Sequence, residues 1–315
     1  MSEIVKINDE IEIKKLFLVF WKSKILIIFL TSIFAVSSVF ISLSLPNIYT
    51  SKAVLLPAND KNSINGQLGA YSSLAGIAGI NLPNTLSDSY QKSIEAIERI
   101  KSYKFFVNEF LPFINLHDLL AVEKWSEPTG IIYDDNIYEV NSNKWVRPSN
   151  NKKSSKPSPQ EAYEVYKYIL EISENNLPFV TVTINHQSPN IAKDWLDLII
   201  TNINSHMREL DKIKAISSID FLEQSAEKTS LYTTKNTISG LLESQMQILM
   251  FAEATEEYVF KIIESPIAPE IKSKPSRALI CILITGFGFL ISLFIALINN
   301  FYRIGDRIEV FRDRN

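Results

Sequence analysis

The sequence predicts an α+β domain with long protruding helices, anchored by two transmembrane helices and lying outside the cytoplasm. Three observations carry this. Ile25–Leu45 and Ala278–Ile298, one run near each end, contain no charged residue. Residues 46–274 between them have ordinary composition and room for a core of their own. Within that stretch, Ile191 to about Ala226 holds no Gly or Pro and carries apolar residues at helical steps.

Each uncharged run is long enough to cross a bilayer. Twenty-one residues at helical rise span roughly 31 Å, close to the hydrocarbon thickness. The first run exceeds a signal-peptide core, and no A-x-A-like cleavage site follows it. The N-terminal tail, 1–24, carries five Lys, and the tail after Asn299 carries four Arg. Short basic flanks stay in the cytoplasm, and two spans put both tails on one side. The expected order is therefore tail 1–24, span 25–45, outer domain 46–274, span with proline-rich lead-in 275–299, and cytoplasmic tail 300–315. Lys272, Lys274 and Arg277 crowd the outer end of the second span, against this charge rule.

The outer domain opens on a strand, Tyr49–Leu56. Asn59–Asn84 is rich in Gly, Ser, Asn and Ala, and Gly66, Gly69, Gly76 and Gly79 oppose a regular helix. Its apolar core, Leu74–Leu82, is expected to be a mobile or partly buried loop, with a patch resting on lipid headgroups as the alternative. Ser87 or Asp88 caps a helix to about Ile100, with Ile94, Ile97 and Ile100 on one face. A second helical stretch covers Ser102–Phe110. Residues 128–160 read as turns and short extended pieces. Ser158 caps a helix over Gln160–Ile172, and Phe179–Asn185 alternates as a strand. Ser188 caps the long helix, about 190–226, with Pro189 in its first turn. A break near Thr229–Lys235 precedes a helix over Asn236–Ala254. Tyr258–Ile263 is a strand returning toward the second span, and Pro266, Pro269 and Pro275 stiffen the link to the membrane.

Residues that could do chemistry are scarce. His117, His186 and His206 lack metal-ligand spacing. No Gly precedes a Lys, so there is no phosphate loop, and no G-x-S-x-G elbow occurs. Asp134-Asp135 reads as a solvated turn, and Glu253, Glu256 and Glu257 as solvent-facing. The only cysteine, Cys281, lies in the second span. A formal net charge of −3 gives no reason to expect a nucleic-acid partner. No catalytic residue, cofactor or metal is expected.

Several segments resemble one known family. They are Asp9–Phe17, Leu55-Leu-Pro57, Lys144-Trp-Val-Arg147, Ser188–Trp195, Leu242–Met250, Ala252–Ile263, Pro266-Ile-Ala-Pro269 and Lys272–Arg277. Their order and placement around the spans resemble the Wzz-type polysaccharide chain-length determinants, or polysaccharide co-polymerases. The resemblance implies a bacterial inner-membrane protein with a periplasmic domain that forms homo-oligomeric rings. It also implies a non-catalytic role: setting the chain length of a lipid-linked glycan, such as lipopolysaccharide O-antigen or a related surface polysaccharide, with a Wzy-type polymerase. A structural part in polysaccharide export shares this topology. A two-span ligand sensor would need a partner for signalling.

The family often has two glycines four apart in the second span. Here Gly286 and Gly288 are two apart, and Gly288 with Ser292 makes the small-residue pair that allows close helix approach. The expected partner is the first span, through Ser32, Ala35 and Ser38, with the polymerase as the alternative. Reporter fusions test the topology: fusions at Asn59 and at Asn315 should report opposite sides of the membrane, and matching signals would defeat the two-span reading.

Overall fold

A computed structural model describes residues 13–58, 85–149, 154–176 and 178–312, so the Asn59–Asn84 segment lies outside the described residues. The chain divides into two compact units, Met1–Pro46 with Ser273–Asn315, and Asn47–Lys272.

The first unit is helical. Helix α1, Ile13–Lys22, precedes α2, Lys24–Ser44. The last helix of the chain, Arg277–Arg312, continues beyond its apolar part into the stretch expected as a plain tail. Lys24–Ser44 and Arg277–Asn300 are long and apolar enough to cross a membrane, with mean hydropathies of 2.5 and 2.7. They pack on each other within this unit.

The second unit is built on a four-stranded antiparallel sheet. Its strands are β1, Tyr49–Pro57; β6, Leu170–Asn176; β7, Phe179–His186; and β8, Phe260–Glu264, in the order β6-β7-β1-β8. Ser51 lies opposite Ile184 and Leu55 opposite Val180, while β8 meets β1 across a register shift at Val54/Leu55. Alternation follows the strand period: Tyr49, Ser51, Ala53 and Leu55 are buried on one face of β1, and Val180, Val182 and Ile184 on β7.

A long helix, α7, Pro189–Lys228, covers that face. Ser188 caps it by accepting from the Ile191 amide, and Pro189 fits the first turn, where no amide partner is needed. Ala192, Trp195, Leu196, Ile199, Ile200, Ile203 and Met207 are buried, but farther along Ile213, Ile216 and Phe221 are exposed. The sheet thus buries the first half of the helix, and the second half pairs with α8, Tyr232–Ala254. The connection is only Thr229–Leu231. The second helix starts earlier than Asn236 because Tyr232, Thr233 and Thr234 enter it despite their weak helix preference.

Aromatic residues fill the remaining core. Helix α3, Thr85–Lys101, starts ahead of Ser87 and Asp88, so neither is its first residue. Ala96, Ile97 and Ile100 face inward, and Ile94 is exposed. Ser102 caps the short α4, Tyr103–Phe105, which runs into a π-helical turn over Phe106–Phe110. Asn202 donates its side-chain amide to the Glu109 carbonyl on that turn. Phe106 and Phe110 each lie 5.0 Å from Tyr166, and Phe110 meets Trp195 edge-on at 5.6 Å. Tyr166 sits on α6, Pro159–Ile169, and its hydroxyl donates to the Ile100 carbonyl at 2.9 Å. Burial pushes that hydroxyl's pKa upward. After Ile169 the chain passes straight into β6, so the helix stops three residues short of Ile172.

Two small hairpins and a short helix occupy the 115–145 region. Helix α5, Leu116–Leu120, leads into β2, Val122–Ser126, and β3, Gly130–Tyr133. The second hairpin is β4, Tyr138–Glu139, with β5, Lys144–Trp145. His117 stacks on Tyr138 at 4.6 Å. The Arg147 guanidinium then holds the approach to α6: it donates to the carbonyls of Ser154 and Ser155, each at 2.8 Å, and pairs with Glu161 at 2.5 Å.

Two polar groups are fully used inside the core. The Asn204 side chain accepts from the amides of Val259 and Phe260 at 2.8 and 2.9 Å and donates to the Phe260 carbonyl at 3.1 Å. It thereby ties α7 to the start of β8. The buried His186 ring is fixed as a neutral tautomer: Nδ1 accepts from the Ser188 amide, and Nε2 donates to the Asp118 carbonyl, both at 2.9 Å. Burial lowers its pKa, outweighing the opposing effect of the bond to the Asp118 carbonyl.

With the folded pKa below the unfolded 6.5, the unfolded chain binds the extra proton. The stability contribution is therefore present above about pH 6.5 and is lost as pH falls through the lowered folded value. Thermal unfolding of the detergent-solubilised protein between about pH 7 and 5 should show the midpoint fall, and a flatter profile for His186→Gln. Equal slopes for both proteins would reject this assignment.

Candidate functional site

The residues expected to matter fall into two groups, one in each unit. In the domain, the proline segment follows β8. Pro266 is buried and Pro269 half-buried. The Ser51 hydroxyl, fully buried on β1, donates to the Ile267 carbonyl at 2.9 Å. The Lys272 ammonium donates to the Asn47 side-chain oxygen at 3.2 Å. Each proline fixes one dihedral, and these two bonds fix where the segment runs. Ser51 and Asn47 were missed from sequence, because a serine in a strand and an asparagine beside Pro46 carry no signal of so distant a partner. Pro275 belongs to the helical unit and is half-buried.

In the helical unit, the face of the last helix is set by Gly288, Ser292 and Ala296, all buried and four residues apart. A Cβ on Gly288 would strike the Phe34 side chain, with Cδ2 at 2.7 Å. Phe34 thus fills the space left by the missing side chain. One turn on, the Ser292 hydroxyl donates to the Phe289 carbonyl at 2.7 Å and lies 3.3 Å from the Thr31 hydroxyl. Thr31 itself donates to the Ile27 carbonyl at 2.7 Å. Hydroxyls in an apolar helix satisfy themselves on the preceding turn in this way and remain available to a neighbour.

Gly286 is not part of this contact. It is exposed, and nothing lies within 4 Å of a Cβ there. On α2, Ser38 is buried and Ala35 half-buried, but Ser32 points outward. Thr31, Phe34 and Ser42 complete the face instead. Phe34 was missed because a small-residue search passes over the large side chain that the small residues accommodate. The other polar candidates have structural partners: Glu253 pairs with Lys212 at 2.7 Å, and the Glu257 carboxylate accepts from the Ile262 amide at 3.1 Å rather than facing only water. His206 pairs with Glu109 at 3.0 Å.

Residues 9–106 match the family model described as Wzz, chain length determinant protein, which bears out the resemblance drawn from the sequence. The match includes the Asp9–Phe17 and Leu55–Pro57 segments; the C-terminal segments lie outside it. A solved full-length bacterial polysaccharide co-polymerase is similar at 14% identity, over 91% of this chain and 97% of its own, with a TM-score of 0.38. A fragment of the polysaccharide co-polymerase WzzB from Salmonella Typhimurium is similar at 13% identity, over 72% of this chain and 100% of its own, with a TM-score of 0.32. A mutant of a Shigella flexneri lipopolysaccharide O-antigen chain-length regulator is 10% identical, over 72% and 100%, with a TM-score of 0.26. No curated protein matches.

The geometry separates the two glycines. Gly288→Leu should force Phe34 aside and cost about 1–3 kcal/mol of helix-pair stability, the usual penalty of overpacking. Gly286→Leu should leave the pair intact. Thermal unfolding in detergent checks this, and equal effects at both positions would refute the assigned face.

Proposed function

We propose that this chain sets the length of a surface polysaccharide, O-antigen or a related glycan, without catalysing any bond change. The match of residues 9–106 to the chain length determinant family carries this reading. The chain crosses the inner membrane twice, through 25–45 and the helical part of 275–299, with both termini cytoplasmic and residues 46–274 periplasmic. It acts as a homo-oligomeric ring beside a Wzy-type polymerase that extends a lipid-linked glycan. No cofactor, metal or catalytic residue takes part.

Two features support assembly and coupling. The outer half of the long hairpin exposes Ile213, Phe221, Leu241 and Met250, and a groove of about 450 Å³ lies between its arms at Phe221, Leu222 and Leu241. Apolar surface of this kind suits a neighbouring copy. Pro266, Pro269 and Pro275 transmit the domain's position to the second span, while Gly288 and Ser292 set how closely the spans pair.

Deletion of the gene followed by gel analysis of surface polysaccharide tests the reading. A modal length should be lost and then restored by the wild-type chain. Gly288→Leu should shift or abolish the mode, and Pro269→Ala should do so more mildly. An unchanged banding pattern in the deletion strain would overturn the proposal.

A further inference from the structure

We propose that the segment from Pro266 to Lys272 is an interfacial anchor that rests on anionic phospholipid headgroups. This inference rests on reading Lys24–Ser44 and Arg277–Asn300 as membrane spans. Ile267 and Ile271 are 67% and 81% exposed. They are not loose ends: the Ile267 carbonyl is held by the Ser51 hydroxyl, and the Lys272 side chain, next to Ile271, is tied to the Asn47 side chain. Two large apolar side chains are therefore held outward on a fixed stretch.

Chain length limits how far this stretch can lie from the bilayer. Five residues separate Ile271 from Arg277, and even fully extended the gap is at most roughly 21 Å. The segment also carries the cations that break the charge asymmetry of the topology: Lys272, then Lys274 and Arg277 along the chain, against a single acid, Glu270. Glu264, upstream, is paired with Lys52 at 3.6 Å. Apolar side chains beside ammonium and guanidinium groups are the signature of an interfacial segment: the apolar parts enter the acyl boundary, and the cations meet phosphate. A contact with another copy of the chain would favour fewer charges around the apolar residues. Anionic lipid thus explains both the exposed isoleucines and the misplaced charge.

Spin labels on the full chain test this in nanodiscs of phosphatidylethanolamine with or without phosphatidylglycerol. Cys281, the only cysteine, is first replaced by Ala, and single cysteines are placed at Ile271→Cys and at Ile282→Cys as a depth reference. The label at 282 should report hydrocarbon. The label at 271 should report headgroup depth, moving deeper when phosphatidylglycerol is present. Lys272→Gln with Lys274→Gln should lower phosphatidylglycerol retention roughly fivefold per lysine. Free access of a water-soluble relaxant to position 271 in both lipids would overturn the proposal. So would a label closed to both water-soluble and lipid-soluble relaxants, which would mean a protein cover. Water at position 282 would instead overturn the span reading itself.

Discussion

The sheet of the α+β domain depends on β1 having neighbours on both sides. The strand that follows the first apolar helix pairs with β7 on one edge and with β8, which precedes the last helix, on the other. The first and last strands of the domain are therefore adjacent, although about 200 residues separate them in sequence. Closing so long a loop costs entropy that grows only slowly with its length, and the closure is held by ladder bonds, by Ser51 and by the Asn47–Lys272 contact. Asn204 adds a fourth hold from the long helix. It meets two amides and one carbonyl at the start of β8, groups that would each cost about 1–3 kcal/mol if left buried and unpaired.

Much of the fold was legible because it follows short-range rules. The strand-like runs Tyr49–Leu56, Phe179–Asn185 and Tyr258–Ile263 marked three of the four sheet strands, and the Ser188-Pro189 start marked the long helix to within two residues. The first half of that helix and the aromatic cluster were harder. Ile213 and Ile216 continue the apolar repeat, in steps of three to five, that Ile203 and Met207 belong to, yet they are exposed whereas Ile203 and Met207 are buried. Periodicity shows which face is apolar, not how much of it another element covers. β6 was hidden in an expected helix because Leu170–Ile172 reads equally well in either state, and its pairing with β7 decides the outcome.

At the helix pair, the sequence singled out Gly288 and Ser292 but could not set Gly286 apart from them. Residues two apart on a helix point about 200° apart, so only one of the two glycines can face a given neighbour. Phe34 settles which one does. The buried Asn204 and Ser51 side chains left no mark in the sequence because each serves backbone groups far away along the chain.

The hairpin of α7 and α8 has a property that the sheet lacks. Beyond Lys214 on α7 and up to Met250 on α8, only Ala215 and Ile238 are buried. Seven residues added to each arm make nearly two whole turns, and each face returns to within about 20° of its original direction. Such a matched insertion would raise the tip by roughly 10 Å without disturbing a single strand. The reach of this hairpin from the sheet is thus a dimension that can change in quantised steps, independently of the sheet that carries it.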